Sequence, residues 1–128
     1  MEISKTKGGQ FMDSYEKVCL AVKALDGKKA KDISVLKIED LTVISDYFII
    51  ATASSSTQLK ALKEEVEFVL GENGVQTLHT EGSAASPWIL LDYGDVVVHL
   101  FMEDSRMFYS IERLWSDAVE VDTEEILK

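Results

Sequence analysis

Apolar residues recur at helical spacing in two parts of the chain. In each part they stand three and four positions apart, which places them on one face of a helix. The first helix is predicted over residues 14–26, and the second begins after Ser55, whose spacing to Gln58 is that of a capping box. The two apolar faces consist of Tyr15, Val18, Cys19, Val22 and Leu25, and of Leu59, Leu62, Val66 and Val69.

Shorter runs rich in β-branched residues predict five strands. Two precede the second helix, at about residues 33–38 and 47–53, and one follows it at 75–81. The last two strands flank Tyr93-Gly94, a tight hairpin turn in which a glycine adopts positive φ without strain. The later of them, residues 96–102, is apolar on both faces apart from His99, which is typical of a strand in the interior of a sheet.

A third helix is predicted after this hairpin, capped by Asp104 or Ser105. Its apolar face consists of Phe108, Ile111, Trp115 and Ala118. The order of elements has no internal repeat and indicates the α/β class, as a single domain with a five-stranded mixed sheet flanked by helices. We expect residues 1–11 to form a flexible N-terminal tail, residues 12–118 the domain, and residues 119–128 an acidic C-terminal tail.

Composition limits the class of protein and the kind of partner. The 128 residues are 46% hydrophobic, contain no apolar run of the roughly 20 residues that span a bilayer, and begin without a signal-peptide pattern. A single cysteine excludes an internal disulfide, so we expect a reducing, cytoplasmic location. The net charge of −10 argues against strong direct binding of nucleic acid and permits a basic protein partner, although acidic composition also serves solubility.

Residue patterns typical of catalysis are scarce. His79 and His99 stand twenty positions apart without zinc-ligand spacing, and no Gly-x-Ser-x-Gly turn accompanies a serine. Phosphoryl or nucleotidyl transfer on two metal ions commonly uses an Asp-x-Asp pair, which the chain lacks. Asp46 offers its strand a single carboxylate. We therefore predict no catalytic residue, no metal and no cofactor.

Residues 88–95 suggest a protein-binding site. Trp88 follows a loop of small residues, and Leu90, Asp92 and Tyr93 lead to an acidic turn. Aromatic anchors with an acidic rim suit a basic protein partner. The alternative is that Trp88 is the end of a core strand, and the residues alone do not decide between the two.

The same region carries a resemblance to the ribosomal silencing factor family, also called the iojap-related family. The matching segments are Trp88-Ile-Leu-Leu-Asp-Tyr-Gly-Asp-Val-Val-Val-His-Leu-Phe, Arg106-Met-Phe-Tyr109, Leu114-Trp115-Ser-Asp117-Ala118 and, upstream, Asp46-Tyr-Phe-Ile-Ile-Ala-Thr-Ala-Ser with Gln58. The resemblance covers about residues 14–118. It implies a nucleotidyltransferase-like fold and a translation repressor without catalysis. The two alternatives are a nucleotidyltransferase-like enzyme and a factor in assembly of the large subunit.

The resemblance also implies a partner and its contact residues. Family members bind ribosomal protein fourteen of the large subunit, hinder joining of the small subunit, and in many cases form homodimers. The positions that correspond to partner-binding residues are Trp88, Leu90, Leu91, Asp92, Tyr93, Asp46 and Tyr47. After the first helix, Lys28, Lys29 and Lys31 form a basic patch, for which a solvated loop is preferred over a contact with ribosomal RNA.

Overall fold

The computed structural model describes residues 12–42, 45–83, 86–104 and 117–128. Helix α1 (Ser14–Gly27) and helix α2 (Ser56–Glu72) lie where the apolar spacing predicts them. Helix α2 starts at its expected cap, where the Ser55 hydroxyl accepts the Gln58 N–H at 3.1 Å, and Asp13 forms a capping box with the first turn of α1. No helix of the described ranges is long and apolar enough to cross a membrane. The predicted helix with Phe108, Ile111 and Trp115 lies outside these ranges.

Six strands form one mixed sheet. They are β1 (Lys31–Lys37), β2 (Tyr47–Ala53), β3 (His79–Glu81), β4 (Trp88–Asp92), β5 (Val96–Met102) and β6 (Val119–Val121). Their order across the sheet is β3-β4-β5-β2-β1-β6. Strands β2 and β5 are parallel and every other neighbouring pair is antiparallel, so the sheet is mixed, as predicted. Strand β3 is shorter than the predicted 75–81.

Strand β5 occupies the interior position that its apolar pattern predicts. It pairs along its whole length with β2 on one side, in the register Tyr47↔Val96 to Ala53↔Met102. On the other side it forms a hairpin with β4, in which Gly94 adopts a φ of 89°. Because both edges are hydrogen-bonded and Val96 to Phe101 are buried, β5 is enclosed on all four sides.

The sheet separates two apolar clusters. On one face, α1 and α2 pack against alternate residues of the strands, and Leu25, Leu59, Ile49 and Leu100 are typical members of this larger core. On the other face lies a smaller cluster of buried side chains, with the partly buried Trp88, Phe48 and Ala118 packed against it. Its buried members are Leu36, Ile38, Ile50 and Phe101.

The last ten residues correct one prediction. Residues 119–128 are not an acidic tail: β6 pairs with β1, and helix α3 (Thr123–Leu127) follows it. Ile126 is only 6% exposed and belongs to the helix-side core, where α3 packs against α1. The acidic side chains between these apolar positions face solvent, so the segment looks like a tail in sequence. Its strand raises the predicted five-stranded sheet to six.

Replacement of Ile126 tests whether the C-terminal segment belongs to the folded domain. Ile126→Ala should lower the free energy of unfolding by about 2 to 5 kcal/mol, because it empties a buried site. Urea unfolding followed by circular dichroism measures this change. Glu124→Ala is the matched control in the same helix, and because Glu124 is exposed its loss should stay within about 0.5 kcal/mol. Equal, small losses in both variants would contradict the assignment.

Candidate protein-binding surface

The alternation of strand β4 decides which of its side chains are buried and which are partly exposed. Successive side chains of a strand point to opposite faces of the sheet. Ile89 and Leu91 are fully buried in the core beneath the helices. Trp88, Leu90 and Asp92 lie on the other face and are partly exposed. We call these three residues the β4 surface.

Three of the residues expected at the partner site are not on this surface. Leu91 is 0% exposed, Tyr93 is 4% exposed and Tyr47 is 8% exposed, and all three belong to the helix-side core. Burial raises the pKa of the Tyr93 phenol to about 12, so the group is neutral at physiological pH. In this structure the core covers these three side chains, and their contact with a partner stays a prediction. These residues support the surface from behind, because their side chains fill the core on which β4 and β2 rest.

The β4 surface is backed by a row of aromatic rings. The Trp88 ring is nearly parallel to the His99 ring, with centroids 6.1 Å apart, and to the Phe101 ring at 6.0 Å. Phe48 meets His99 edge-on at 4.8 Å. His99 and Phe101 come from β5, the neighbour of β4 in the sheet, and Phe48 comes from β2, on the far side of β5. They limit the movement of Trp88, and apolar periodicity alone gave no signal that they would meet.

His99 is a neutral, buried member of this row. The Trp88 indole Nε1–H donates to His99 Nδ1 at 3.4 Å, which places the ring proton on Nε2. Nε2 is buried and has no hydrogen-bond partner among the residues that the structure describes. Burial lowers the pKa of His99 to about 4, so the ring is uncharged at neutral pH. With 5% of its surface exposed, His99 belongs to the interior of the domain.

Acidic residues collect at the end of the sheet where β4 turns into β5. Asp92 Oδ1 accepts the Gly94 N–H at 2.8 Å, and this bond orients the carboxylate at the rim of the β4 surface. Asp46 adjoins the same turn, because its N–H donates to the Asp95 carbonyl at 2.8 Å. The Asp95 carboxylate forms an ion pair with Lys17 of α1 at 2.9 Å. Sequence patterns did not indicate Lys17, whose partner lies 78 positions away.

No group of three or more histidine, cysteine, aspartate or glutamate side chains in the described ranges could hold a metal ion. What the described residues do bring together is an aromatic row, an aliphatic side chain and a rim of carboxylates. Aromatic and aliphatic side chains with a charged rim are typical of protein-binding surfaces. The fold and site thus define a small α/β domain with a candidate protein-binding surface.

Comparison with known proteins identifies the family. The family model described as "Ribosomal silencing factor during starvation" matches residues 12–128. A curated relative, ribosomal silencing factor RsfS of Halalkalibacterium halodurans, is 38% identical and aligns with 91% of this chain and 99% of its own length. RsfS of Bacillus subtilis is 41% identical over 77% of this chain and 84% of its own length. The chain belongs to the ribosomal silencing factor family.

A solved structure supports the architecture. The crystal structure of a protein from Chromobacterium violaceum is 41% identical to this chain and superposes with a TM-score of 0.79. The superposition covers 82% of this chain and 88% of the other. The single α/β domain is therefore shared with this relative. The family name describes a regulatory role at the ribosome, which is the role the resemblance implied.

The stability of the protein should depend on pH through His99. The unfolded histidine titrates near 6.5 and the folded one near 4, so the unfolded state binds more protons between these values. The contribution of His99 to the free energy of unfolding is therefore fully present above pH 6.5. It decreases by about 3 kcal/mol as the pH falls to 4. Unfolding free energies measured across this range should show the decrease.

Two variants isolate the contribution of His99 to this pH dependence. His99→Phe keeps an aromatic ring in the row and should lose that part of the decrease, whereas His79→Gln, at an exposed histidine, should retain it. If His99→Phe follows the same curve as the unmodified protein, His99 is not the group that titrates.

Proposed function

We propose that this protein represses translation by binding ribosomal protein fourteen of the large subunit through the β4 surface. The observation that carries the proposal is that Trp88, Leu90 and Asp92 share one partly exposed face of β4, backed by buried aromatic rings. Membership of the ribosomal silencing factor family makes the ribosome the natural partner. Asp46, partly exposed beside the same turn, extends the proposed contact.

Trp88 supplies the proposed anchor. A tryptophan that is already ordered before binding loses little conformational freedom when a partner covers it. Stacking on Phe101 and the hydrogen bond to His99 provide that order. Leu90 lies two positions along the same face and pairs with His99 across the hairpin, so it adds apolar area next to the indole. An aromatic residue with adjoining aliphatic area is typical of an interface hot spot.

Charge favours a basic partner over an acidic one. The chain carries a net charge of −10, and Asp92 and the partly exposed Asp46 adjoin the turn between β4 and β5. Ribosomal proteins are basic, so the potentials of the two surfaces are complementary. Complementary charge raises the rate of association more than the final affinity.

The proposed mechanism is steric. A 14.3 kDa domain on the joining face of the large subunit occupies volume that the small subunit must enter. Repression then follows the fraction of free large subunits that are occupied, and no catalytic step is needed. This role belongs in the cytoplasm, where subunits join. A nucleotidyltransferase-like fold and a homodimer also belong to this proposal, since the family resemblance implies both.

Neutralising Asp92 tests electrostatic steering. Asp92→Asn keeps a side-chain oxygen that can accept the Gly94 N–H, so the turn is preserved while one charge is removed. Association with the large subunit should slow roughly two- to fivefold at low salt, with little change at high salt. Asp122→Asn is the matched control, because Asp122 likewise accepts the N–H two positions later, at 2.9 Å, away from the β4 surface. Stopped-flow rates that are equal for both variants would exclude steering by Asp92.

The proposal as a whole is tested by subunit joining. Added protein should lower the fraction of joined ribosomes formed from separated subunits, in proportion to its occupancy of the large subunit. Trp88→Ala should lose about 2 kcal/mol of binding, so roughly 30-fold more of it is needed for the same effect. Phe68→Ala, which removes an exposed aromatic residue of α2, should act like the unmodified protein. Sucrose gradients measure the joined fraction.

Two controls decide how the joining experiment is interpreted. Ribosomes that are already joined should resist the protein, because the small subunit covers the proposed site. Thermal unfolding of Trp88→Ala must show that the variant is folded at the assay temperature. If the protein binds the large subunit tightly and joining proceeds normally, the steric mechanism is wrong, and a role in large-subunit assembly replaces it.

A further inference from the structure

The lysines of the described ranges divide into paired and unpaired groups. Five of the nine described lysines form ion pairs with carboxylates: Lys17, Lys31, Lys37, Lys63 and Lys128. The remaining four have no such partner within those ranges: Lys23, Lys28, Lys29 and Lys60. All four are exposed, and they lie near the end of α1, in the loop that follows it, and near the start of α2. We call these four residues the basic corner.

A long-range clamp joins the parts of this corner. The Gln58 side chain of α2 donates to the carbonyl oxygens of Lys28 and Lys29, at 3.1 and 2.9 Å. Its own carbonyl oxygen accepts the Ser54 N–H at 2.7 Å. The loop is closed from its other side, where the Ala30 N–H donates to the Leu25 carbonyl at 3.0 Å. These bonds hold the backbone of the loop in one conformation while its two lysine side chains extend into solvent.

The backbone of Lys29 adopts a conformation that is unfavourable for a residue with a side chain. Its φ is 65°, in the left-handed region, where a side chain costs roughly 1 kcal/mol relative to glycine. The position follows a helix end, where glycine is the usual residue. A strained non-glycine residue in a solvent-exposed loop is a reason to look for a functional side chain.

The basic corner and the acidic turn lie at opposite ends of the sheet. Lys31 pairs with Thr52 near the end of β2, whereas Asp46 precedes the first residue of that strand. Seven residues of extended chain separate the two ends by roughly 20 Å. This exceeds the Debye length of about 8 Å at physiological salt, so the acidic turn does not cancel the positive potential of the corner. The nearer carboxylates in sequence are the exposed Asp26, Asp32 and Glu64, which the four lysines of the corner outnumber.

We propose that the basic corner contacts the phosphate backbone of RNA when the β4 surface is bound to its protein partner. The inference rests on the proposed function, since a ribosomal subunit presents RNA beside its proteins. Lysines without internal partners suit phosphates, which they contact as point charges without reading sequence. A membrane surface fits less well, because such sites add apolar anchors beside the lysines. The exposed large apolar residues of the described ranges are Tyr15, Leu41, Phe68, Leu78 and Val119, none of them in this loop.

A double variant tests the inference without weakening the fold. Lys28→Gln combined with Lys29→Gly removes two charges and relieves the strained φ, so its melting temperature should not fall. Binding of a 16-base-pair RNA duplex, measured by fluorescence anisotropy at several salt concentrations, gives the slope of log affinity against log salt. The slope should become shallower by about two units, one for each lost phosphate contact.

A matched variant controls for net charge. Lys37→Gln combined with Lys128→Gln also removes two charges, from exposed ion pairs outside the basic corner, and should leave the slope unchanged. Equal slopes in the two double variants would overturn the inference. The inference would also be overturned if the unmodified protein did not bind RNA at low salt. It would equally be overturned if the lysines mediated binding to phosphatidylserine vesicles and the protein did not bind RNA.

A second readout separates this inference from the proposed function. The Lys28, Lys29 variant should bind isolated ribosomal protein fourteen with unchanged affinity, whereas Trp88→Ala should lose that affinity and keep the salt slope for RNA. If Trp88→Ala binds ribosomal protein fourteen with unchanged affinity, only the proposed protein contact is wrong. If the Lys28, Lys29 variant keeps the salt slope of the unmodified protein, only the proposed RNA contact is wrong.

Discussion

The enclosure of strand β5 is the constraint on which the rest of the domain depends. Its two edges are hydrogen-bonded to β2 and β4, and its two faces are buried. Residues on one face, such as Val98 and Leu100, contribute to the core beneath the helices. Phe101, on the other face, belongs to the smaller cluster of the opposite side. A single strand therefore connects both cores, and neither core would keep its arrangement if β5 shifted register by one residue.

The candidate surface inherits its order from that strand. Trp88 and Leu90 of β4 lie opposite Phe101 and His99 of β5, in a register set by the tight turn at Gly94. The buried neighbours Leu91 and Tyr93 hold β4 against the helix-side core. A surface built on paired strands is positioned more accurately than one built on a loop. The buried residues thus determine where the partly exposed residues of the candidate surface lie.

Charge is distributed along the sheet in a way that net charge does not reveal. Ion pairing, and not composition, determines which lysines remain available, because the Lys17 and Lys31 ammonium groups are each held at 2.9 Å by a carboxylate distant in sequence. The acidic turn around Asp92 and the basic corner around Lys28 end up at opposite ends of β2. An acidic end suits a basic protein and a basic end suits phosphate, so the two proposed contacts do not compete.

Local patterns determined the secondary structure of the described domain well. Apolar spacing placed α1 and α2, the Ser55 cap placed the start of α2, and the apolar run around His99 placed β5 inside the sheet. These signals are local, because the residues that form a helix face or a buried strand lie only a few positions apart in the sequence. The family signature around Trp88 was equally contained in the sequence, and the family comparison confirmed it.

Tertiary structure alone decided which residues of that signature face outward. Only the burial of β4 against the helices separates Trp88, Leu90 and Asp92 from Leu91 and Tyr93, which the sequence grouped together. The strand and helix of the last ten residues also needed distant partners, since β6 forms by pairing with β1 and Ile126 is buried by α1 and its neighbours. The ion pairs of Lys17 and Lys31 and the Gln58 clamp join residues 29 to 78 positions apart. Interactions across such separations depend on the folded arrangement of the chain, and no local pattern encodes them.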